Sequence, residues 1–132
     1  MTLADTLADH PARSTFDFPE LMRAIEATGR CSILCTVCAD SELARGAASM
    51  HDCIRTCLDC AAVCDATAKV LSRPTPSGDM WQAQVSACIL ACVECAAQCS
   101  QHDHVSCAAC AEACRECERA LQQLVAAATE SG

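Results

Sequence analysis

Aromatic residues are almost missing from this chain of 132 residues: two phenylalanines, one tryptophan and no tyrosine make up 2% of it. The sequence is nevertheless 52% hydrophobic. An ordinary core reaches crystal-like density with bulky Leu, Ile, Phe and Val. Here 15 cysteines and 26 alanines supply most of the apolar count, so either something else fills the interior or the elements approach very closely. Positive charge is also scarce, with 9 Lys and Arg against 17 Asp and Glu and a net charge of −8. The basic residues form no stripe, which argues against nucleic acid and against an anionic membrane surface as partners. No uninterrupted run of about 18 apolar residues occurs, so no transmembrane helix is expected. The opening MTLADTLADHPARSTFDFPELM has no basic n-region, apolar h-region or twin arginine, and does not read as a secretory signal. A cytoplasmic location follows as the expectation, and there thiols are kept reduced. The odd number of cysteines also counts against a complete disulfide framework.

The cysteines fall into four groups: Cys31, Cys35 and Cys38; Cys53, Cys57, Cys60 and Cys64; Cys88, Cys92, Cys95 and Cys99; Cys107, Cys110, Cys114 and Cys117. Within each group the spacing alternates between three and four, which places the thiols on one face of a helix. Alanine, the strongest helix former, fills the gaps, and the period of two that marks a strand is absent.

Four helices are expected. Asp17-Phe18-Pro19 offers a cap and a first-turn proline for helix A, from about 19 to 44, with Gly46 in the following turn. Helix B runs from about 49 to 72 and ends at the break Arg73-Pro74-Thr75-Pro76-Ser77-Gly78. Helix C spans about 79 to 100, and helix D follows Gln101-His102-Asp103-His104 to about 127. Short links make neighbours antiparallel. The expected fold is therefore all-α: an antiparallel up-down-up-down four-helix bundle with a cysteine-lined core. It occupies a single domain over 17–128, behind a flexible N-terminal tail over 1–16.

Antiparallel threading gives the thiol-lined tube two unlike ends, about 16 Å apart at 1.5 Å per residue. One end collects Met50, His51, His102 and His104, a set of soft or borderline donors. The plain reading is that the histidines occupy a solvated loop and that Met50 fills a gap. The other end collects Met22, Ile25, Val70, Leu71, Met80, Trp81, Leu121, Leu124 and Val125, an ordinary hydrophobic plug. Beside the thiols, Ile54, Leu58 and Ala61 and then Ile89, Val93 and Ala96 form a second apolar stripe. It either packs bundles side by side or widens the core-facing surface.

Cysteine can serve as a small hydrophobe, but fifteen in register on inward faces exceed that role. All fifteen are read as metal ligands, and charge selects the metal. Zn²⁺ on four thiolates leaves two negative charges per site, and several such sites would bury charge at a cost of several kcal/mol per ion. Cu(I) is monovalent, soft and content with two or three sulfurs, so about one ion per bridging thiolate leaves the tube neutral. An iron–sulfur or redox electron carrier and a zinc-thiolate buffer are the alternatives. Iron–sulfur ligation normally draws on C-x2-C-x2-C-x3-C loops wrapped round a compact cluster. No nucleophile, base and orienting group are found together, and the only obvious carboxylate near the histidines is Asp103, so no enzyme is expected.

The segments CSILCTVCAD, HDCIRTCLDCAAVC, CILACVECAAQC and HDHVSCAACAEACRECE resemble the bacterial copper storage proteins of the cytosolic branch, over about residues 20 to 125. The resemblance implies a homotetramer of bundles, each holding many Cu(I) ions through core cysteines, with intake at the His/Met end. It also implies a departure: the family often continues its thiol file where this chain has Ala24, Thr28 and Glu42, and helix D carries Leu121 where a further thiol could stand. A shorter copper column follows.

Overall fold

The computed structural model describes residues 1–12, 17–74 and 78–131. Its described residues form only helices: α1 (Leu3–Ala8), α2 (Phe18–Arg45), α3 (His51–Leu71), α4 (Gly78–Cys99) and α5 (Val105–Ser131), with a single 3-10 turn, Ala48–Met50, ahead of α3. The start of α2 follows from its sequence. Asp17 accepts a hydrogen bond from the Glu20 N–H at 3.1 Å, and Pro19 occupies the first turn. Gly46 closes α2 at φ 76°, a left-handed conformation that costs glycine little and other residues more. α5 runs past its expected end to Ser131. Thr75, Pro76 and Ser77 of the expected break lie outside the described residues.

α2 packs on α3 and α5, and α4 packs on the same two, so α2 and α4 face each other across the bundle. Cys38 meets Cys107, while Cys31, a turn or two earlier on α2, meets Cys114, later on α5. Those two helices therefore run antiparallel, as the short links require. All fifteen cysteines are fully buried along the axis, and Ala24, Ala39, Ala61, Ala96, Ala111 and Ala120 are buried beside them. Side chains this small let the helices approach closely, which answers how a chain so poor in aromatics fills its interior.

The plug at the far end is built from Leu21, Ile25, Leu71, Trp81, Leu121 and Leu124, with Met22, Val70 and Val125 packed against it. Met80 does not join it and is 60% exposed. It precedes Trp81 by one residue, about 100° round the helix, and Trp81 takes the inward position. Between plug and thiols lie the buried Thr28 and Thr67. Thr28 Oγ1 donates to the Ala24 carbonyl at 2.8 Å. Thr67 Oγ1 donates to the Val63 carbonyl at 2.7 Å and accepts from Gln84 Nε2 at 2.8 Å. Both hydroxyls are satisfied locally, so they end the thiol column without leaving an orphan.

Three features go beyond these expectations. The segment expected as a flexible tail carries α1, held by a reciprocal capping box in which the Asp5 N–H donates to Thr2 Oγ1 at 3.0 Å and the Thr2 N–H to Asp5 Oδ2 at 3.1 Å. Its Leu7 is buried in the core; residues 13–16 lie outside the described residues. The second is α4, which is long and apolar enough by composition to cross a membrane. Its apolar character is largely cysteine and alanine, and Trp81, Val85, Cys88, Cys92, Cys95, Ala96 and Cys99 are buried within the bundle. The third is the second apolar stripe, which divides. Ile54, Ala61 and Ala96 are buried and Ile89 packs against the core, whereas Leu58 and Val93 are exposed.

Candidate metal centre

Each helix contributes one file of thiols because the three-and-four spacing keeps Sγ atoms on the axial side over three turns. The files interdigitate. Cys35 and Cys110 approach to 3.3 Å, Cys57 and Cys99 to 3.5 Å, Cys95 and Cys110 to 3.7 Å, and Cys64 lies 3.7 Å from Cys88 and 3.8 Å from Cys92. No cysteine is paired in a disulfide. Sulfurs gather in overlapping sets of four, each within 4.8 Å: Cys31, Cys64, Cys92 and Cys117 towards the closed end, then Cys31, Cys35, Cys60 and Cys114, then Cys35, Cys95, Cys110 and Cys114, then Cys57, Cys95, Cys99 and Cys110, and towards the mouth Cys38, Cys53, Cys57 and Cys99. Because the sets share members, the tube is a continuous sulfur column rather than a row of separate cages.

Metal–sulfur bonds of about 2.3 Å put neighbouring ligands of one ion about 3.8 Å apart. The observed contacts already stand near that spacing, so ions can enter with small side-chain adjustments. Burial, assisted by Cys99, pushes the Cys53 thiol up to about 12, and burial likewise raises Cys107. These thiols keep their protons until a metal ion displaces them. Spacing alone would admit zinc. Charge does not: all four sulfurs of the set towards the closed end are fully buried, so an excess of negative charge there would have no water to screen it.

The donors expected at the mouth are placed differently from one another. His104 is half-buried, and its Nδ1 lies 2.6 Å from Glu42 Oε1. His102 is also half-buried, with its backbone N–H on the Cys99 carbonyl at 3.2 Å and its Nε2 buried without a hydrogen-bond partner. His51 is exposed at the start of α3, and Met50 is buried in the 3-10 turn. The helix ends do bring Cys38, Cys53, Cys99 and Cys107 together here, with Cys38–Cys107 and Cys53–Cys99 both at 3.8 Å.

Glu42 is the residue that the sequence reading left without a role. It is fully buried. Its Oε1 lies 3.6 Å from Cys107 Sγ, which donates to it, and 3.4 Å from Arg45 Nε, besides the contact with His104. Burial pulls the carboxyl upward, but His104, the Cys107 thiol and Arg45 together outweigh it and hold Glu42 below the ordinary carboxylate range. Oε2 is buried with no hydrogen-bond partner, a situation that costs about 1–3 kcal/mol. The carboxylate partner of the mouth is therefore Glu42, not the exposed Asp103. The signal was present in the register: Cys31, Cys35, Cys38 and Glu42 continue the same three-and-four spacing, so Glu42 occupies the next place in the file.

The sequence profile of the copper storage protein family matches residues 18–126. Among solved structures, the copper storage protein Ccsp of Streptomyces lividans loaded with 10 copper equivalents is 41% identical, with a TM-score of 0.87 over 96% of this chain and 99% of that one. The cytosolic copper storage protein of the same organism, in a five-copper loading state, is 43% identical, with a TM-score of 0.74 over 82% and 93% of the two chains. A Ccsp variant with two histidines changed to alanine is 42% identical, with a TM-score of 0.80 over 86% and 98%. No curated protein sequence matches. With its four inward thiol files and this match over the whole bundle, the chain belongs to the copper storage protein family.

Proposed function

We propose that this protein binds and stores many Cu(I) ions through the thiolates of its core, buffering or detoxifying cytosolic copper. One observation carries the reading: fifteen cysteines, all fully buried, face one another in overlapping four-sulfur sets. About one monovalent ion per bridging thiolate fills such a column without net charge. The fifteen thiols are Cys31, Cys35, Cys38, Cys53, Cys57, Cys60, Cys64, Cys88, Cys92, Cys95, Cys99, Cys107, Cys110, Cys114 and Cys117. Met50, His51, His102 and His104 mark the intake end.

The role is a store, not an enzyme. A dry column of sulfur admits ions that thread between helices and offers nothing to a larger substrate. The S. lividans relative is described as cytosolic, and fifteen unpaired thiols accord with a reducing compartment. The acidic balance supports neither nucleic acid nor anionic membrane as a partner. A homo-oligomer is part of the reading, a tetramer by the resemblance. Ile33, Val37, Leu58, Leu90 and Val93 are exposed and supply apolar area for lateral packing.

Anaerobic titration of the reduced protein with Cu(I), against a chromophoric Cu(I) chelator, tests the store. The chelator should stay uncoloured until about one ion per thiol has been added, with protein absorption confined to the ultraviolet. Saturation at one or two ions would overturn the reading. A brown chromophore in the protein as purified would point to an iron–sulfur carrier instead.

A further inference from the structure

We infer that Glu42, His104 and Cys107 also form a site for a divalent borderline ion of the Zn²⁺ class, set across the mouth of the thiol column and in competition with copper for His104 and Cys107. The three side chains come from two helix ends. Glu42 lies in the last turn of α2, while His104 immediately precedes α5 and Cys107 lies in its first turn. Their ligand atoms are already adjacent: Glu42 Oε1 is 2.6 Å from His104 Nδ1 and 3.6 Å from Cys107 Sγ, and Cys38 Sγ is 3.8 Å from Cys107 Sγ. Tetrahedral zinc with nitrogen, oxygen and sulfur ligands at about 2.0–2.3 Å needs its donors roughly 3.3–3.8 Å apart. Two of the three contacts meet that spacing, and the hydrogen-bonded Glu42–His104 pair has to open by about 1 Å or less.

Glu42 is what separates this place from the rest of the column. A carboxylate is a hard oxygen donor with little to offer Cu(I), and it suits a divalent ion. Holding His104 in position would occupy one carboxylate oxygen, yet both are buried and Oε2 has no hydrogen-bond partner. A cation beside that oxygen would satisfy it. The charges also close. Zn²⁺, the Glu42 carboxylate and the Cys107 thiolate sum to zero around a neutral imidazole, and the Cys107 proton leaves to solvent as the ion binds. A water completes the tetrahedron; a Cys38 thiolate in that place would add one negative charge, which faces Arg45, whose Nε is 3.4 Å from Glu42 Oε1. The same ion on the four thiolates towards the closed end would leave two negative charges in a fully buried place. An ion at the mouth takes His104 and Cys107 away from arriving copper, so zinc held there slows copper loading.

The test uses the reduced, metal-free protein, titrated anaerobically with Co²⁺ as a visible stand-in for Zn²⁺. The expected result is one tight equivalent with tetrahedral bands and weak thiolate charge transfer, displaced by Zn²⁺. Glu42→Gln, which keeps size and shape, should weaken that equivalent at least about tenfold, and circular dichroism of the variant confirms that it folds. Zn²⁺ bound to the wild type should slow the first phase of copper uptake. The inference fails if Co²⁺ binds with four-thiolate intensity and E42Q leaves its affinity unchanged, or if no tight equivalent is found. Copper stoichiometry on the same wild-type sample is read separately, so loss of the store and loss of this site are told apart.

Discussion

A variant with alanine at the plug-side thiol of each file, Cys31, Cys64, Cys88 and Cys117, will hold about eleven Cu(I) ions instead of about fifteen, at one ion per thiol, and will take up its first ions as fast as wild type. The choice of four is set by stability. Removing one buried sulfur costs about 1 kcal/mol in transfer and cavity terms. Four such changes cost about 4 kcal/mol, inside the 5–15 kcal/mol that holds a typical domain together. Replacing all fifteen would cost about 15 kcal/mol, the whole of that range, and loss of binding would then report unfolding. Each is the thiol of its helix nearest the plug of Leu71, Trp81 and Leu121, and Cys64 Sγ lies 3.7 Å from Cys88 Sγ, so removal of these four shortens the column from its closed end. Chelator competition measures capacity and stopped flow measures rate. Unchanged capacity would mean that the deep thiols are packing residues. A slowed first phase would mean that ions do not arrive from the His104 end.

Converting His51, His102 and His104 together to alanine will slow copper transfer from a chelator by about tenfold or more, the scale on which groups that ligate or orient a metal act, while leaving final capacity nearly intact. Imidazole binds Cu(I) more weakly than thiolate does, so it suits capture and release better than storage. The three side chains stand in graded exposure, with His51 exposed and His102 and His104 half-buried, ahead of Cys38, Cys53, Cys99 and Cys107. On the proposed reading, ions pass from these donors to the sulfurs behind them. If the triple variant loads at the wild-type rate, the histidines are loop residues without a part in intake. If it loses most of its capacity, they are storage ligands.

The thiol files were legible because cysteine marked the inward face of every helix as leucine would in an ordinary bundle, and Asp17, Pro19 and Gly46 punctuated α2 where their chemistry predicts. Threading then located both ends of the column from link lengths alone. What escaped was chemistry outside that one residue type. Glu42 was read as a place where a thiol had been lost, because a carboxylate on a core-facing position has no meaning until its partner is known. That partner, His104, lies 62 positions away in sequence, and only the folded bundle brings the two together. The Thr2–Asp5 capping box was present in the opening residues, but a six-residue helix is marginal alone and depends on Leu7 reaching the core. Met80 and the divided stripe of Leu58 and Val93 failed for another reason. Hydrophobicity marks a face only to within the width of one helical position, and which neighbour covers that position is decided by packing.

The most direct test of copper storage in the thiol column is X-ray absorption at the copper edge of the protein loaded under anaerobic conditions to about one ion per cysteine. The expected spectrum is that of Cu(I) with a first shell of two to three sulfurs and short copper–copper scattering from ions that share bridging thiolates. A Cu(II) edge, a first shell dominated by nitrogen or oxygen, or isolated ions without copper neighbours would contradict it.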